Sequence, residues 1–203
     1  MTAPQISLCL FDLGNVILDF DFSLATRRLA PLCNLTQEEV FRRIASWDGI
    51  VPFEEGKIKP PQFFEAMQQW LNYPLGYEAF LSIWTDIFSE NKEVSALVRR
   101  VLRRVPVVLV SNTNRLHFDY CYRTFPIVRE IGQFALSYEV GARKPDPRIY
   151  EMALVKFKIP PAEAVYVDDL EMLIQAGKAF GLDAILFKGA KKLEEQLQER
   201  GLL

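Results

Sequence analysis

Short, largely apolar runs that alternate with helical patterns constrain this chain more than any other feature. Residues 6–11 (ISLCLF), 106–110 (PVVLV) and 164–167 (AVYV) are rich in aliphatic side chains and lack the polar alternation of a half-exposed strand. Strands buried on both faces read this way. A weaker fourth run, DAILF at 183–187, follows. Helical patterns over residues 92–105, 148–158 and 170–180 lie between them, so strand and helix alternate through the second half of the chain. The alternation predicts an α/β fold, a Rossmann-like parallel sheet with helices on both faces.

Residues 22–88 break the pattern. They hold no convincing strand and several helical patterns, which predicts an all-helical insertion, a cap of residues 20–90 within a core made of 1–19 and 91–203. Thr36 followed by Glu39 fits a capping box that opens a helix carrying Val40, Phe41 and Ile44. Pro60-Pro61 starts another, with Phe63, Phe64, Met67 and Trp70 along one side, and residues 77–88 form a further aromatic helix. These aromatics read as helix-packing core. The charged tail, 191–200, reads as a solvated terminal helix.

Composition then removes several chemistries. With 24 basic and 26 acidic residues the chain has no basic excess to meet a phosphate backbone, so no nucleic-acid partner is expected. One histidine cannot build a two- or three-histidine metal site, and Cys9, Cys33 and Cys121 form no CxxC pair. Structural zinc is excluded and a reducing compartment expected. The start, MTAPQISLCL, has no basic leader region, and the aliphatic run at 105–110 is far too short for a membrane span. A cytoplasmic protein with no membrane partner is the expectation; the sequence assigns no oligomeric state.

In an open parallel sheet, ligands sit beyond the carboxyl ends of the strands. Here those ends are polar. The first run ends in Asp12, the second in Ser111 and Asn112, and the third in Asp168-Asp169, while a loop reading GARKPDP delivers Lys144. Singly, each is ordinary turn chemistry. Together, three converging carboxylates repel one another unless a cation joins them, and hard oxygen donors suit Mg²⁺. Three negative charges, one lysine and one divalent cation sum to zero, a site able to accept a phosphate dianion. A serine hydroxyl and backbone N–H groups complete an anion cradle.

Asp12, Ser111, Lys144 and Asp168-Asp169, in this order and context, resemble the four motifs of the haloacid dehalogenase-like hydrolase superfamily, and the helical insertion resembles its C1-type cap. The wording FDLGNVI, LVSNTNRLH and RKP is similar to a subgroup of small sugar-phosphate phosphatases that includes α-glucose-1-phosphate phosphatases. The resemblance implies a Mg²⁺-dependent phosphatase acting on a small phosphorylated metabolite. Asp12 would be the nucleophile that forms an aspartyl-phosphate. Ser111 and Asn112 would bind the phosphoryl group, and Lys144 would neutralise it. Asp12, the Gly14 carbonyl and Asp169 would hold the metal, with Asp168 behind them or ligating through water. Asp146 as N-cap and Pro147 at the first helical position would fix the loop that presents Lys144.

Two positions depart from the superfamily pattern. Gly14 stands where a second aspartate usually serves as general acid and base, although the DLGNV subgroup carries this glycine. Leu173 stands where Asn or Asp is frequent, with Glu171 as a possible substitute. A hemiacetal leaving group, as in a sugar 1-phosphate, needs less protonation than a simple alcohol. Arg115, His117 and Trp47 are candidate substrate contacts, against a surface charge for Arg115 and a partly exposed helical histidine for His117. Asp48, Phe53 and Glu54 flank the same cap stretch. The alternatives are a non-catalytic phosphate- or partner-binding relative and a metal-independent dehalogenase using Asp12.

Overall fold

A computed structural model describes residues 5–203, so the first four positions of the N-terminal reading lie outside the described residues. In chain order the first half holds β1 (Leu8–Phe11), β2 (Leu18–Phe20), α1 (Ser23–Leu32), α2 (Gln37–Ala45), α3 (Ile50–Glu54), α4 (Pro60–Leu71), α5 (Tyr77–Thr85), β3 (Phe88–Glu90) and α6 (Lys92–Leu102). The second half holds β4 (Val107–Ser111), α7 (Arg115–Thr124), α8 (Pro126–Ile131), β5 (Phe134–Leu136), α9 (Ser137–Val140), α10 (Pro147–Val155), β6 (Ala164–Asp168), α11 (Glu171–Phe180), β7 (Asp183–Leu186) and α12 (Ala190–Glu199).

Five strands form one sheet in the order β5-β4-β1-β6-β7, and every pairing is parallel. The predicted apolar runs are buried on both faces because successive side chains point to opposite sides. Cys9 and Phe11 join a core with Val94, Val98 and Val101 of α6 and Leu193 and Leu197 of α12. Leu8 and Leu10 join another with Ile149 and Tyr150 of α10 and Ile174 of α11. The terminal helix is therefore half packed rather than solvated throughout. β1 sits at the centre with the chain wound outward from it on both sides, and such a switch point opens a crevice beyond the strand end.

The insertion, α1 to α5, has its own core around Phe63, Met67, Phe80 and Trp84. The capping box forms: Glu39 N donates to Thr36 Oγ1 at 3.2 Å, and Thr36 N donates to Glu39 Oε2 at 2.7 Å. Two expectations need correction. The insertion is joined to the sheet through a two-stranded antiparallel pair, β2 with β3, so α5 stops at Thr85 and Phe88 is a strand residue opposite Phe20. Three-residue strands, β5 included, are too short to show a period in sequence. Trp70 also leaves the packed face; it is exposed, with its indole N–H donating to the Arg43 carbonyl at 2.8 Å. Among the described residues, no helix is long and apolar enough to cross a membrane.

Candidate active site

Strand register assembles the site. Phe11 is opposite both Leu109 and Val167, so the polar residues that follow these positions, Asp12, Ser111 and Asp168, gather at one edge. Asp12 N donates to the Val167 carbonyl at 2.9 Å, which carries the β1–β6 pairing as far as the carboxylate. Oxygens of Asp12, Asp168 and Asp169 all lie within 4.8 Å of one another. Lys144 Nζ donates to Asp12 Oδ1 and to Asp168 Oδ2, each at 2.7 Å, from a side chain that is 1% exposed.

The loop that presents this lysine is tied at two points. The Asn112 carboxamide accepts from Lys144 N at 2.7 Å and donates to Lys144 O at 3.0 Å. Asp146 caps α10, accepting from Arg148 N at 3.0 Å, with Pro147 at the helix start. The side chain of Asn112, expected at the phosphate, is thus engaged in positioning Lys144. Ser111 is buried at the end of β4 and lines the cavity described below.

The two adjacent aspartates play different parts. Asp168 is fully buried and surrounded by donors: Lys144 Nζ and the Tyr166 hydroxyl, at 2.5 Å, meet Oδ2, and Leu170 N meets Oδ1 at 3.0 Å. Asp169, one residue further, is half-buried and lines the cavity. Burial, then repulsion from Asp168, raises its carboxyl above the ordinary range, while Asn15 opposes the shift. Burial also pushes Asp12 up to about 6, with Lys144 pulling down and Asp168 pushing up. An all-oxygen donor set carrying two negative charges beyond its lysine is the chemistry a hard divalent cation relieves, so these residues fit Mg²⁺.

Above the carboxylates lies a cavity of about 720 Å³, walled by the cap and containing Trp47, Asp48, Phe53 and Glu54 as well as Gly14, Asn15 and Ser111. Glu54 Oε2 lies 2.8 Å from Arg143 Nε, an ion pair that links cap to core without hydrogen-bond geometry. Leu173 also lines the cavity, and Glu171 does not. A Cβ built on Gly14 meets nothing within 4 Å, and the residue has no positive φ, so neither packing nor backbone requires glycine there.

His117 lines the cavity but is buried, which corrects the partly exposed alternative. Its Nε2 donates to the Trp84 carbonyl at 3.0 Å, leaving Nδ1 to accept from Asn114 Nδ2 at 3.1 Å. Burial lowers its pKa to about 4, so the ring is neutral. Arg115 is not brought to this site. It opens α7 about 200° around the helix from His117, pairs with Asp119 at 3.0 Å, and lines a separate cleft with Leu116 and Tyr138. Sequence reasoning missed Tyr166 and Asn15. The period of two along β6 could have flagged Tyr166, which shares a face with Asp168.

A sequence model described as haloacid dehalogenase-like hydrolase matches residues 6–181. A D-ribitol-5-phosphate phosphatase of Bacteroides thetaiotaomicron is 25% identical over 88% of this chain and 90% of its own length. A phosphorylated carbohydrates phosphatase of Thermotoga maritima is 23% identical over 87% and 82%. Among solved structures, a HAD family enzyme from Bacteroides thetaiotaomicron in complex with magnesium and inorganic phosphate superposes with a TM-score of 0.77 at 23% identity, over 90% of this chain and 94% of the other. A 2-haloacid dehalogenase from Pseudomonas syringae gives 0.69 at 19% identity, over 96% and 99%.

Proposed function

The chain belongs to the haloacid dehalogenase-like hydrolases, and from that premise we propose that it is a Mg²⁺-dependent phosphatase of a small phosphorylated metabolite. The fold is shared with a dehalogenase as well as with phosphate-binding enzymes, so the site must decide between them. The observation that carries the reading is the cluster of Asp12, Asp168 and Asp169, three carboxylates with a single lysine among them, whose mutual repulsion a divalent cation would relieve at the cavity floor. The names of the relatives support a phosphorylated carbohydrate as the first class to test.

In this reading Asp12 attacks phosphorus, the ester P–O bond breaks, and water then hydrolyses the aspartyl-phosphate to inorganic phosphate. Lys144 fixes Asp12 Oδ1 and favours its charged form, which leaves Oδ2 as the oxygen without a side-chain donor. Asp168, Tyr166 and Asn112 hold Lys144 in place. Ser111 donates to the transferring phosphoryl oxygens. Asp12, Asp169 and the Gly14 carbonyl would hold Mg²⁺, with Asp168 behind them. The ion supplies charge neutralisation of the phosphate. Gly14 offers no proton to the departing oxygen, and His117, neutral and bonded at both nitrogens, does not replace it.

The test is phosphate release from sugar phosphates and an aryl phosphate with Mg²⁺ present. Activity is expected, and chelator or Asp12→Asn is expected to abolish it. Full turnover by the Asp12→Asn protein refutes the assigned nucleophile; turnover untouched by chelator returns the dehalogenase-like, metal-free alternative.

A further inference from the structure

The cap side of the cavity is apolar to a degree that a polyol does not require. Phe41, Phe22, Phe20 and Phe88 follow one another with ring centroids 6.5, 6.3 and 5.5 Å apart, and Phe88 meets His117 at 5.3 Å. His117 in turn lies nearly parallel to Trp84, at 5.6 Å. All six rings line the cavity that holds Asp12 and Asp169. The wall runs out into solvent: Phe20 is 40% exposed, Phe41 53%, Val51 44% and Leu170 50%, all of them lining the same cavity. Contiguous exposed apolar surface at a pocket mouth marks a ligand that covers it.

The polar groups on that side are mostly occupied. His117 and Asn114 bond each other, Thr113 N donates to Ser137 Oγ at 2.9 Å, and Glu54 and Arg143 form an ion pair at 2.8 Å, which leaves the Trp84 indole N–H as a buried donor without a partner. Asp48 is the exposed cap carboxylate that remains. A sugar or alditol in this space would lose water from several hydroxyls with few partners in return, which costs free energy for each unpaired group. Gly14 supplies an independent observation. With open space where an acid side chain would stand, the site suits a leaving oxygen that departs unprotonated, as a phenol oxygen does.

We propose that the preferred substrate is a phosphate monoester of an aromatic, phenol-like alcohol, its ring lying against the Phe20–Phe22–Phe41–Phe88 wall with its phosphate at Asp12. The proposal rests on the phosphatase reading and replaces the carbohydrate suggested by the relatives' names with a class chosen from this chain's own cap residues.

The experiment compares kcat/KM with Mg²⁺ for phenyl phosphate, 2-naphthyl phosphate, glucose 1-phosphate and ribitol 5-phosphate. The two aryl esters leave as phenols of similar acidity, so their ratio reports the wall rather than leaving-group chemistry. A roughly tenfold preference for naphthyl is expected from the apolar area of one added ring, and Phe41→Ala should lower the naphthyl rate more than the phenyl rate. Binding of 2-naphthylphosphonate and phenylphosphonate, measured by calorimetry, gives the same comparison without turnover, with the naphthyl compound expected to bind more tightly. A sugar phosphate turned over faster than both aryl esters overturns the proposal and leaves the phosphatase standing. Equal affinity for the two phosphonates overturns it as well. Failure to release phosphate from any of the four esters, with tighter naphthylphosphonate binding retained, refutes hydrolysis while upholding the aromatic wall.

Discussion

Gly14→Asp is the substitution that tests the chemistry most directly. A β-carbon at this position meets nothing within 4 Å, and the backbone has no positive φ, so the folded state accepts a side chain without steric cost. Replacing glycine at such a position tends to stabilise by about 0.4–1 kcal/mol through the unfolded chain. The new carboxylate joins three whose oxygens already lie within 4.8 Å of one another. Like-charge repulsion and partial burial beside these carboxylates raise the pKa of the added group, as burial and Asp168 raise that of Asp169. That shift favours the protonated acid needed to donate to a leaving oxygen. General acid help is worth about 10²- to 10⁴-fold where the leaving group is a poor one. The expected result is therefore selective: kcat for an alkyl phosphate rises by about 10²-fold or more, while kcat for 4-nitrophenyl phosphate changes little. Steady-state kinetics on both esters, with the thermal unfolding midpoint recorded alongside, is the assay. Equal changes on the two esters, or none, in a protein of undiminished stability would refute the view that Gly14 leaves the departing oxygen without its acid.

Other expectations follow from single contacts. His117 has its pKa lowered to about 4 by burial, whereas in the unfolded chain it titrates near its ordinary 6.5, so the unfolded state binds the extra proton between these values. Its contribution to stability, up to about 3 kcal/mol, is complete above pH 6.5 and is lost as pH falls toward 4; as the chain's one histidine it gives a single imidazole NMR signal, and titration of that signal near 6.5 would contradict the burial argument. Lys144→Met leaves Asp12 and Asp168 buried without their shared cation and is expected to cost about 3–5 kcal/mol in urea unfolding as well as activity; a loss under about 1 kcal/mol would show that the pair is not desolvated as described. Gly56 has φ +72°, and a β-carbon there would sit 2.1 Å from the Tyr138 carbonyl oxygen. Gly56→Ala should therefore destabilise by more than about 1 kcal/mol and loosen the cap from the core, read as a lowered unfolding midpoint and faster proteolysis within residues 20–90.

The fold was legible where a physical requirement repeats along the chain. Strands covered on both faces must be apolar throughout, so β1, β4 and β6 announce themselves, and their polar ends mark the site because buried chains change character only where they reach water. β2, β3 and β5, at three residues each, repeat nothing. The Asp146–Pro147 cap was legible for a similar reason, since both residues act on the backbone next to them. Contacts made across the fold leave no such trace. His117 has the same sequence environment whether exposed or stacked on Trp84, and only tertiary packing buries it. Arg115 and His117 look equivalent in the motif, yet two residues along a helix is about 200° of rotation, which sends one to a different cleft. The Asp168-Asp169 pair shows both cases at once. Two neighbouring carboxylates cannot serve the same site equally when one ends a strand and the other starts a turn. The strand geometry turns Asp168 inward onto Lys144 and Tyr166, where every oxygen finds a donor. Asp169, released from the strand, faces the cavity with its charge less completely compensated. The division between a carboxylate that holds the lysine and one that lines the cavity is thus a consequence of where β6 ends.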